Sequence, residues 1–154
     1  MKSYPRKKRQ RLDNLPRWTQ ANAVQLVPYL RSVVGSIREH FLEMQQNRLC
    51  YDRLKQKGGR PNRHEMIVME ETRQNADRAE QNLHETWAEI EPLGVRMLNP
   101  IEGLALIPFV HRGELAWFVF DLFAIEGLSG WRYHHDPLDM RRPLNEIGKV
   151  YIPC

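Results

Sequence analysis

Apolar residues recur at alternating spacings of four and three over the first third of the chain. They are Ala23, Val27, Leu30, Val34, Ile37, Phe41 and Met44. This spacing is typical of a helix that buries one narrow seam, and it predicts a long helix from Thr19 to Lys57. Thr19 is suited to cap its first turn, and Pro28 should kink the helix or divide a short first segment from the main rod.

A second helical pattern runs from Arg63 to Glu91. Its apolar side carries Met66, Met69, Ala76, Leu83, Trp87 and Ile90, and the other sides are polar. The loop around Gly58 and Pro61 separates the two patterns and ends the first one. Two long helices joined by so short a loop must fold back on each other. We therefore predict an antiparallel hairpin of coiled-coil type over residues 19–93.

After residue 94 the apolar period becomes that of extended chain. Strands are predicted at 95–98, 104–110, 115–123 and 131–135, and the breaks between them fall at 99–100, 112–113 and 127–130. Arg112-Gly113 is a two-residue hairpin turn, which places Pro108 opposite Trp117. Because Pro108 lacks an N–H, its outer side should be a sheet edge or a bulge. The chain is therefore predicted to be α+β, with the helical hairpin packed on a small antiparallel sheet.

The strand at 115–123 is apolar on both faces, so both faces should be covered. The helical hairpin can cover one of them. For the other we expect a second subunit, which predicts a homo-oligomer, with a dimer favoured. The residues expected to mediate this self-association are Trp117, Phe118, Val119 and Phe120.

The 154 residues suit one core, which we assign to residues 19–144, with the sheet part at 94–144 and a C-terminal tail at 145–154. Residues 1–18 form a basic arm, predicted to be flexible, with seven basic residues against one acidic, whereas the remainder has 16 basic and 18 acidic residues. Clustered cations attract polyanions, so the arm is a candidate nucleic-acid contact through Arg6, Lys7, Lys8, Arg9 and Arg11. A solubilising tail, or one that docks on an acidic surface of its own assembly, is the alternative.

The composition favours a cytoplasmic protein without membrane contact. No apolar run approaches the ~18 residues of a membrane span, and no apolar segment follows the first charges as in a secretory signal. Cys50 and Cys154 cannot by themselves build a disulfide framework or a thiolate zinc site, so both are expected to be free thiols.

The richest polar cluster lies at 131–142. Its candidate metal ligands are His134, His135, Asp136 and Asp139. In a strand His134 and His135 would point to opposite faces, so one ion could use only His134 with Asp136, or His135 with Asp139, plus ligands from elsewhere such as His111. The alternative is that these residues end a strand and pair with Arg132, Arg141 and Arg142.

The usual signatures of catalysis are missing. The chain has no phosphate-binding loop, no nucleophile elbow and no His-Glu-x-x-His helix. The Glu-x-x-His pattern of di-iron bundles is also absent, because Ile37 and Gln81 stand three residues before His40 and His84. No cofactor is predicted, and a non-enzymatic role is favoured.

Several short segments occur in an order that resembles the uncharacterised bacterial family catalogued as domain of unknown function 2203. They are Thr19 to Ala23 before the hairpin, Leu93-Gly94-Val95, Gly103 to Pro108, Arg112 to Leu115, and a closing Trp-His/Asp segment before Arg142-Pro143-Leu144. The resemblance covers about residues 17–144 and supports the fold, but the family has no activity to carry over. The chain has Leu106 where the family shows Asp, Asp139-Met140-Arg141 where Gly is usual, and Trp131 separated from His134.

The leading prediction is a cytoplasmic interaction or assembly module that self-associates through the hairpin or the uncovered sheet face. A metal-binding protein with a site near His134, His135 and Asp136 is one alternative. A nucleic-acid binder that uses its basic arm is the other.

Overall fold

The computed structural model of the protein describes residues 15–147, which form two long helices followed by a four-stranded sheet. The elements are α1 (Gln20–Gln56), α2 (Arg63–Ile90), β1 (Arg96–Asn99), β2 (Leu104–His111), β3 (Glu114–Asp121) and β4 (Leu128–Tyr133). Short 3-10 turns occupy Glu91–Leu93 and Leu144–Glu146. The sheet is antiparallel with the strands in chain order. The predicted α+β architecture is confirmed. No helix in the described part of the chain has the length and apolar content needed to cross a membrane.

Side-chain caps fix the start of each long helix. The Thr19 hydroxyl accepts from the Asn22 amide at 3.2 Å, and the Asn62 side chain accepts from the Glu65 amide at 2.7 Å. Each cap satisfies a backbone donor that has no partner inside the helix. The two helices then pack against each other in antiparallel directions, and Arg48 of α1 pairs with Glu80 of α2 at 2.9 Å.

Pro28 lies inside α1 without dividing it. The helix is continuous from Gln20 to Gln56, so Pro28 does not divide it, and the kink that was the other predicted outcome stays a prediction. Pro28 removes the N–H that would have bonded the carbonyl of Val24, and both residues are exposed. Because the lost bond lies on the solvent side, water can satisfy that carbonyl, and the helix continues on the packing of its buried side.

The predicted hairpin register of β2 and β3 is confirmed, with His111 opposite Glu114 and Pro108 opposite Trp117. Arg112 and Gly113 both have positive φ, at 52° and 78°, as a two-residue turn of this kind requires. On the outer side of β2, the pairing with β1 involves only residues 104–106. Pro108 lies beyond the residues that pair with β1, so no strand within residues 15–147 is paired with it on that side, as predicted from its missing N–H.

The chain just before α1 closes this edge instead. The Trp18 amide donates to the Pro108 carbonyl at 3.1 Å, and its indole N–H donates to the Leu93 carbonyl at 2.8 Å. Leu15 is buried against the sheet. Residues 15–18 therefore belong to the folded domain rather than to the arm, and Ile147 of the predicted tail likewise packs on the core.

The fourth strand begins earlier than the glycine-rich sequence predicted. β4 starts at Leu128, and Gly130 pairs with Val119 next to a register shift. A Cβ atom on Gly130 would lie 2.8 Å from the carbonyl oxygen of Arg142. Glycine at this position therefore serves close approach of the returning chain, and the predicted break at 127–130 was wrong from Leu128 onward.

The two faces of β3 belong to two different apolar clusters. Phe118 and Phe120 pack in the main core with both helices, and the Phe118 ring stacks on Phe109 with centroids 3.9 Å apart. Trp117 and Val119 lie on the opposite face with Leu15 and are 1% and 0% exposed. All four residues expected to mediate self-association are thus covered within one chain. Their burial does not require a second subunit, and self-association stays a prediction.

The sheet covers only the first half of α1. Side chains from Arg31 and Arg38 reach the turns at one end of the sheet, and α1 then continues from Arg38 to Gln56, a further ~27 Å. We call residues 39–83 the projecting hairpin. The turns at 99–103 and 121–127, which lie where the sheet stops, we call the sheet end.

The close approach of Gly127 to α1 predicts that alanine at this position destabilises the fold more than alanine at Gly113. Gly127 has φ 82°, and a Cβ there would lie 2.5 Å from Val27 Cγ1, whereas Gly113 has φ 78° with open space around it. We expect Gly113→Ala to cost about 1 kcal/mol through backbone strain alone. Gly127→Ala should cost about 1–3 kcal/mol more, because Val27 must move. Urea denaturation of both variants measures the difference, and equal losses would contradict this packing.

Candidate functional site

The polar cluster predicted from the sequence lies where β4 ends and the chain returns along it. The His134 amide donates to the Leu115 carbonyl at 3.0 Å, so strand-like pairing continues one residue past Tyr133. His134 contacts Trp117 on one face of the sheet, and His135 stacks on Tyr133 on the other, with centroids 5.3 Å apart. The predicted divergence of the two histidines is therefore observed.

His134 already uses one ring nitrogen within the fold. The Trp117 indole N–H donates to His134 Nδ1 at 3.1 Å, so that nitrogen carries the acceptor lone pair. The guanidinium of Arg96 lies over the Trp117 indole, 5.3 Å from the ring centroid. His134 thus completes the polar rim of the second apolar cluster, with only Nε2 left for another partner.

Asp136 is buried and fully engaged by its own loop. Its carboxylate accepts two bonds from Arg142, at 2.8 and 3.0 Å, and one from the Tyr133 amide at 2.8 Å. The Arg142 hydrogen bonds, followed by the Tyr133 amide, lower the pKa of Asp136 to about 2. This bidentate pair was the alternative that the sequence left open for Asp136, and it clamps the loop at 134–142.

Arg142 also joins a cluster of aromatic rings. Its guanidinium lies 4.9 Å from the Tyr133 centroid and 5.5 Å from that of Trp131, and His111 lies 4.7 Å from Trp131. Burial, followed by the charges of Arg112 and Arg142, lowers the pKa of His111. These surroundings disfavour the charged imidazolium, and His111 packs among the rings as an aromatic residue.

Arg132 is buried on the second face of the sheet, at 3% exposed. Its guanidinium donates to the carbonyls of His134 and Asp136, and its Nε has no partner among the described residues. Burial lowers the pKa of Arg132 from its ordinary value. The guanidinium holds the loop from the side opposite to Arg142, so the same short loop is fixed by two arginines.

The four predicted metal ligands do not converge. Residues 15–147 contain no group of three or more His, Cys, Asp or Glu side chains placed to hold one ion. Asp136 is occupied by Arg142, the two histidines diverge, and Asp139 is exposed. The described residues therefore give no support to the metal-binding alternative. Arg6, Lys7, Lys8, Arg9 and Arg11 of the basic arm, and Cys154, lie outside the described residues, whereas Cys50 is a free, exposed thiol.

A different surface stands out at the sheet end. Ile125 is 94% exposed and Phe123 65%, and Ile101 is exposed on the neighbouring turn. Arg38 donates to the Ile101 carbonyl at 2.9 Å and lies over the Phe123 ring, while Arg31 donates to the carbonyls of Ala124 and Ile125. The apolar patch thus sits directly beside the point where α1 leaves the sheet.

Two leucines lie farther along the same side of α1, one half-buried and one exposed. Leu42 and Leu49 follow Arg38 at helical spacing and so lie on the side of α1 that faces the sheet lower down. Leu49 is 56% exposed and lines an open groove of about 450 Å³ with Gln46, Cys50, Arg53 and Leu54. Neither leucine belongs to the apolar seam predicted from the sequence. Their seven-residue spacing on one side was the available signal.

The architecture defines the class of protein as an α+β domain in which a long helical hairpin packs on a four-stranded meander and extends beyond it. Within that class the chain belongs to DUF2203, the family described as an uncharacterised conserved protein, whose model matches residues 17–122. The match takes in both helices and the first three strands. It ends before β4, so the loop clamped by Asp136 lies outside it, although the resemblance was expected to extend to residue 144. Searches of curated proteins and of solved structures found no match.

The Asp136 clamp predicts a specific acid sensitivity. The pKa of Asp136 is about 2 in the folded chain, below its ordinary 3.8, so the native state binds fewer protons and is stabilised above about pH 4. This stabilisation is lost as the pH falls toward 2. We expect Asp136→Asn to be less stable than the wild type at neutral pH and to show a flatter fall in stability between pH 4 and 2.

Asp139→Asn is the matched control, because Asp139 is an exposed carboxylate on the same loop. Urea midpoints measured across the pH range provide the comparison. If Asp136→Asn kept the full acid slope of the wild type, or Asp139→Asn lost it, the clamp would not be the source of the sensitivity.

Proposed function

We propose that this protein is a non-enzymatic interaction module that self-associates through its projecting hairpin. The proposal rests on one observation: the hairpin continues ~27 Å past the sheet. Over this length the side of α1 that packs on the sheet in its first half is left uncovered by the described residues and carries the exposed Leu49. The loop after β4 supports a competing site less well, because Asp136, Arg132 and Arg142 are engaged in holding the loop together.

The projecting hairpin has a thin core of its own. After Ile37, Met44 is the one buried residue of α1, and its counterparts on α2 include the small side chains of Thr72, Ala76 and Ala79. Two helices joined by so little apolar contact gain only modest stability from each other. A second hairpin packed against the uncovered side of α1 beyond Arg38 would add packing of the kind that the sheet supplies to the first half of α1.

The energetic argument rests on Leu49 and the patch at the sheet end. Burying an exposed leucine contributes about 1–2 kcal/mol to the free energy of association, and in a symmetric dimer each of the two copies makes this contribution. Phe123 and Ile125 offer further apolar area on the same side of the molecule. Leu49 and the residues at the sheet end are thus exposed apolar side chains on the same side of α1, about 16 Å apart along the helix, and a partner that covered both would bury more apolar area than either offers alone.

Light scattering coupled to size exclusion, over a wide range of protein concentration, tests the proposal. We expect a dimer that dissociates on dilution, and Leu49→Glu should weaken the association at least ~10-fold, because two carboxylates would be buried in an apolar contact. The control is Leu138→Glu, an exposed leucine on the loop after β4, which should leave the association unchanged.

A monomer at every concentration would overturn the proposal, as would equal weakening by both variants. Circular dichroism and thermal melts establish that Leu49→Glu remains folded, which its exposed position leads us to expect. Native mass spectrometry of the same samples also tests the metal-binding alternative. That reading requires one added metal mass per chain, lost in His134→Ala.

A further inference from the structure

The shape of the chain restricts how two projecting hairpins can meet, given the self-association proposed above. On one side of α1 the bare stretch begins after Arg38, where the sheet stops, and ends at the reversal around Gly59. Its midpoint is Leu49, which is also its most exposed apolar residue. In an antiparallel pair of identical helices, the two-fold axis passes through the residue at the middle of the contact. If the contact uses the whole bare stretch, that residue is Leu49.

An antiparallel pair would bring the tip of each hairpin to the sheet end of the other. The tip, residues 53–64, carries Arg53, Lys55, Lys57, Arg60 and Arg63. Asp52 and Glu65 flank it, and Glu65 pairs with Lys57 at 3.4 Å, whereas the other four basic residues have no ion pair within residues 15–147. The sheet end carries Asp121, Glu102 and Glu126 and no basic residue of its own, although Arg31 and Arg38 of α1 lie against it. Within residues 15–147 no ion pair engages Glu102 or Glu126.

The opposite charges favour this arrangement over a parallel one. In a parallel pair the two basic tips would lie side by side and repel each other, whereas an antiparallel pair separates them and places each beside carboxylates. Opposed charges at a rim steer association and fix register more than they add affinity. The apolar contact would then come from Leu42, Leu49 and the patch around Phe123.

The area that the projecting hairpin offers is too small for a stable dimer unless the sheet end is also part of the interface. A face two helices wide, about 20 Å, and about 30 Å long offers roughly 600 Å² per copy, which is the lower limit for a specific interface. Adding the sheet end of each copy, with Ile101, Phe123 and Ile125, brings the area toward the size typical of stable dimers.

We propose that the partner of the projecting hairpin is a second copy of this chain, packed antiparallel with Leu49 on the two-fold axis and the tip of each hairpin against the sheet end of the other. This inference deepens the proposed function and rests on it. Residues of α1 then face each other in pairs around Leu49, so Leu42 lies opposite Gln56 of the second copy.

Cysteine crosslinking tests the geometry in the full chain, with Cys50 and Cys154 changed to Ser. Leu49→Cys should form a disulfide-linked dimer on mild oxidation, because a residue on the axis meets its own copy. Leu42→Cys alone should not, since the two copies of residue 42 lie ~20 Å apart along the antiparallel helices. A mixture of Leu42→Cys and Gln56→Cys chains should yield the mixed dimer.

Charge reversal tests the contact between tip and sheet end. Glu102→Lys with Glu126→Lys should weaken the dimer ~10-fold, and Arg60→Glu with Arg63→Glu should do the same. The two pairs combined in one chain should restore affinity to within ~3-fold of the wild type, because the opposed charges are exchanged rather than lost.

The outcomes separate this inference from the proposed function. A dimer in which Leu42→Cys crosslinks to its own copy is a parallel bundle, and it overturns the inference but not self-association. A dimer that crosslinks at neither position, or one whose charge reversals show no rescue, uses another surface and also overturns the inference. A wild-type monomer overturns the proposed function itself.

Discussion

The packing of α1 against two different layers is the constraint on which the rest of the structure depends. Along its first half α1 contacts α2 on one side and the sheet on another, and Val27 lies so close to Gly127 that no side chain fits between them. Arg31 and Arg38 then bind the carbonyls of the turns at the sheet end. These contacts fix where the sheet stops along the helix, and so they determine which part of the hairpin remains bare.

Three polar residues of the predicted cluster, Arg132, Asp136 and Arg142, hold the loop after β4 in place. Asp136 is held by Arg142 and by the Tyr133 amide, and Arg132 holds the same loop through carbonyls on the other face. A carboxylate whose pKa is lowered to about 2 by such partners is a poor general base at neutral pH. The loop therefore gains a fixed shape because Asp136, Arg132 and Arg142 are bonded within it.

Local signals in the sequence were sufficient for most of the fold. Caps, glycines and apolar periods are local features, so Thr19, the turn at Arg112-Gly113 and the register of Pro108 could be predicted one residue at a time. Features that depend on packing between residues far apart in the sequence could not be predicted in this way. The start of β4 at Leu128 reflects the return of Arg142 beside Gly130, and the cover over Trp117 includes Leu15, far away in sequence. The exposure of Leu49 could not be predicted either, because periodicity alone does not reveal where the sheet ends along α1.

Backbone contacts interrupt both edges of the sheet. At the β4 edge, Trp131 and Arg142 exchange two backbone hydrogen bonds, at 3.0 and 2.7 Å, so an incoming strand would find these groups occupied. At the other edge, β1 has only four residues and an irregular register, and Trp18 occupies the carbonyl of Pro108 beyond it. Short, interrupted or already bonded edges resist the edge-to-edge pairing through which sheets aggregate into fibres. A contact between copies of this chain, as proposed above, would therefore use side chains on helices and turns rather than backbone pairing between strands.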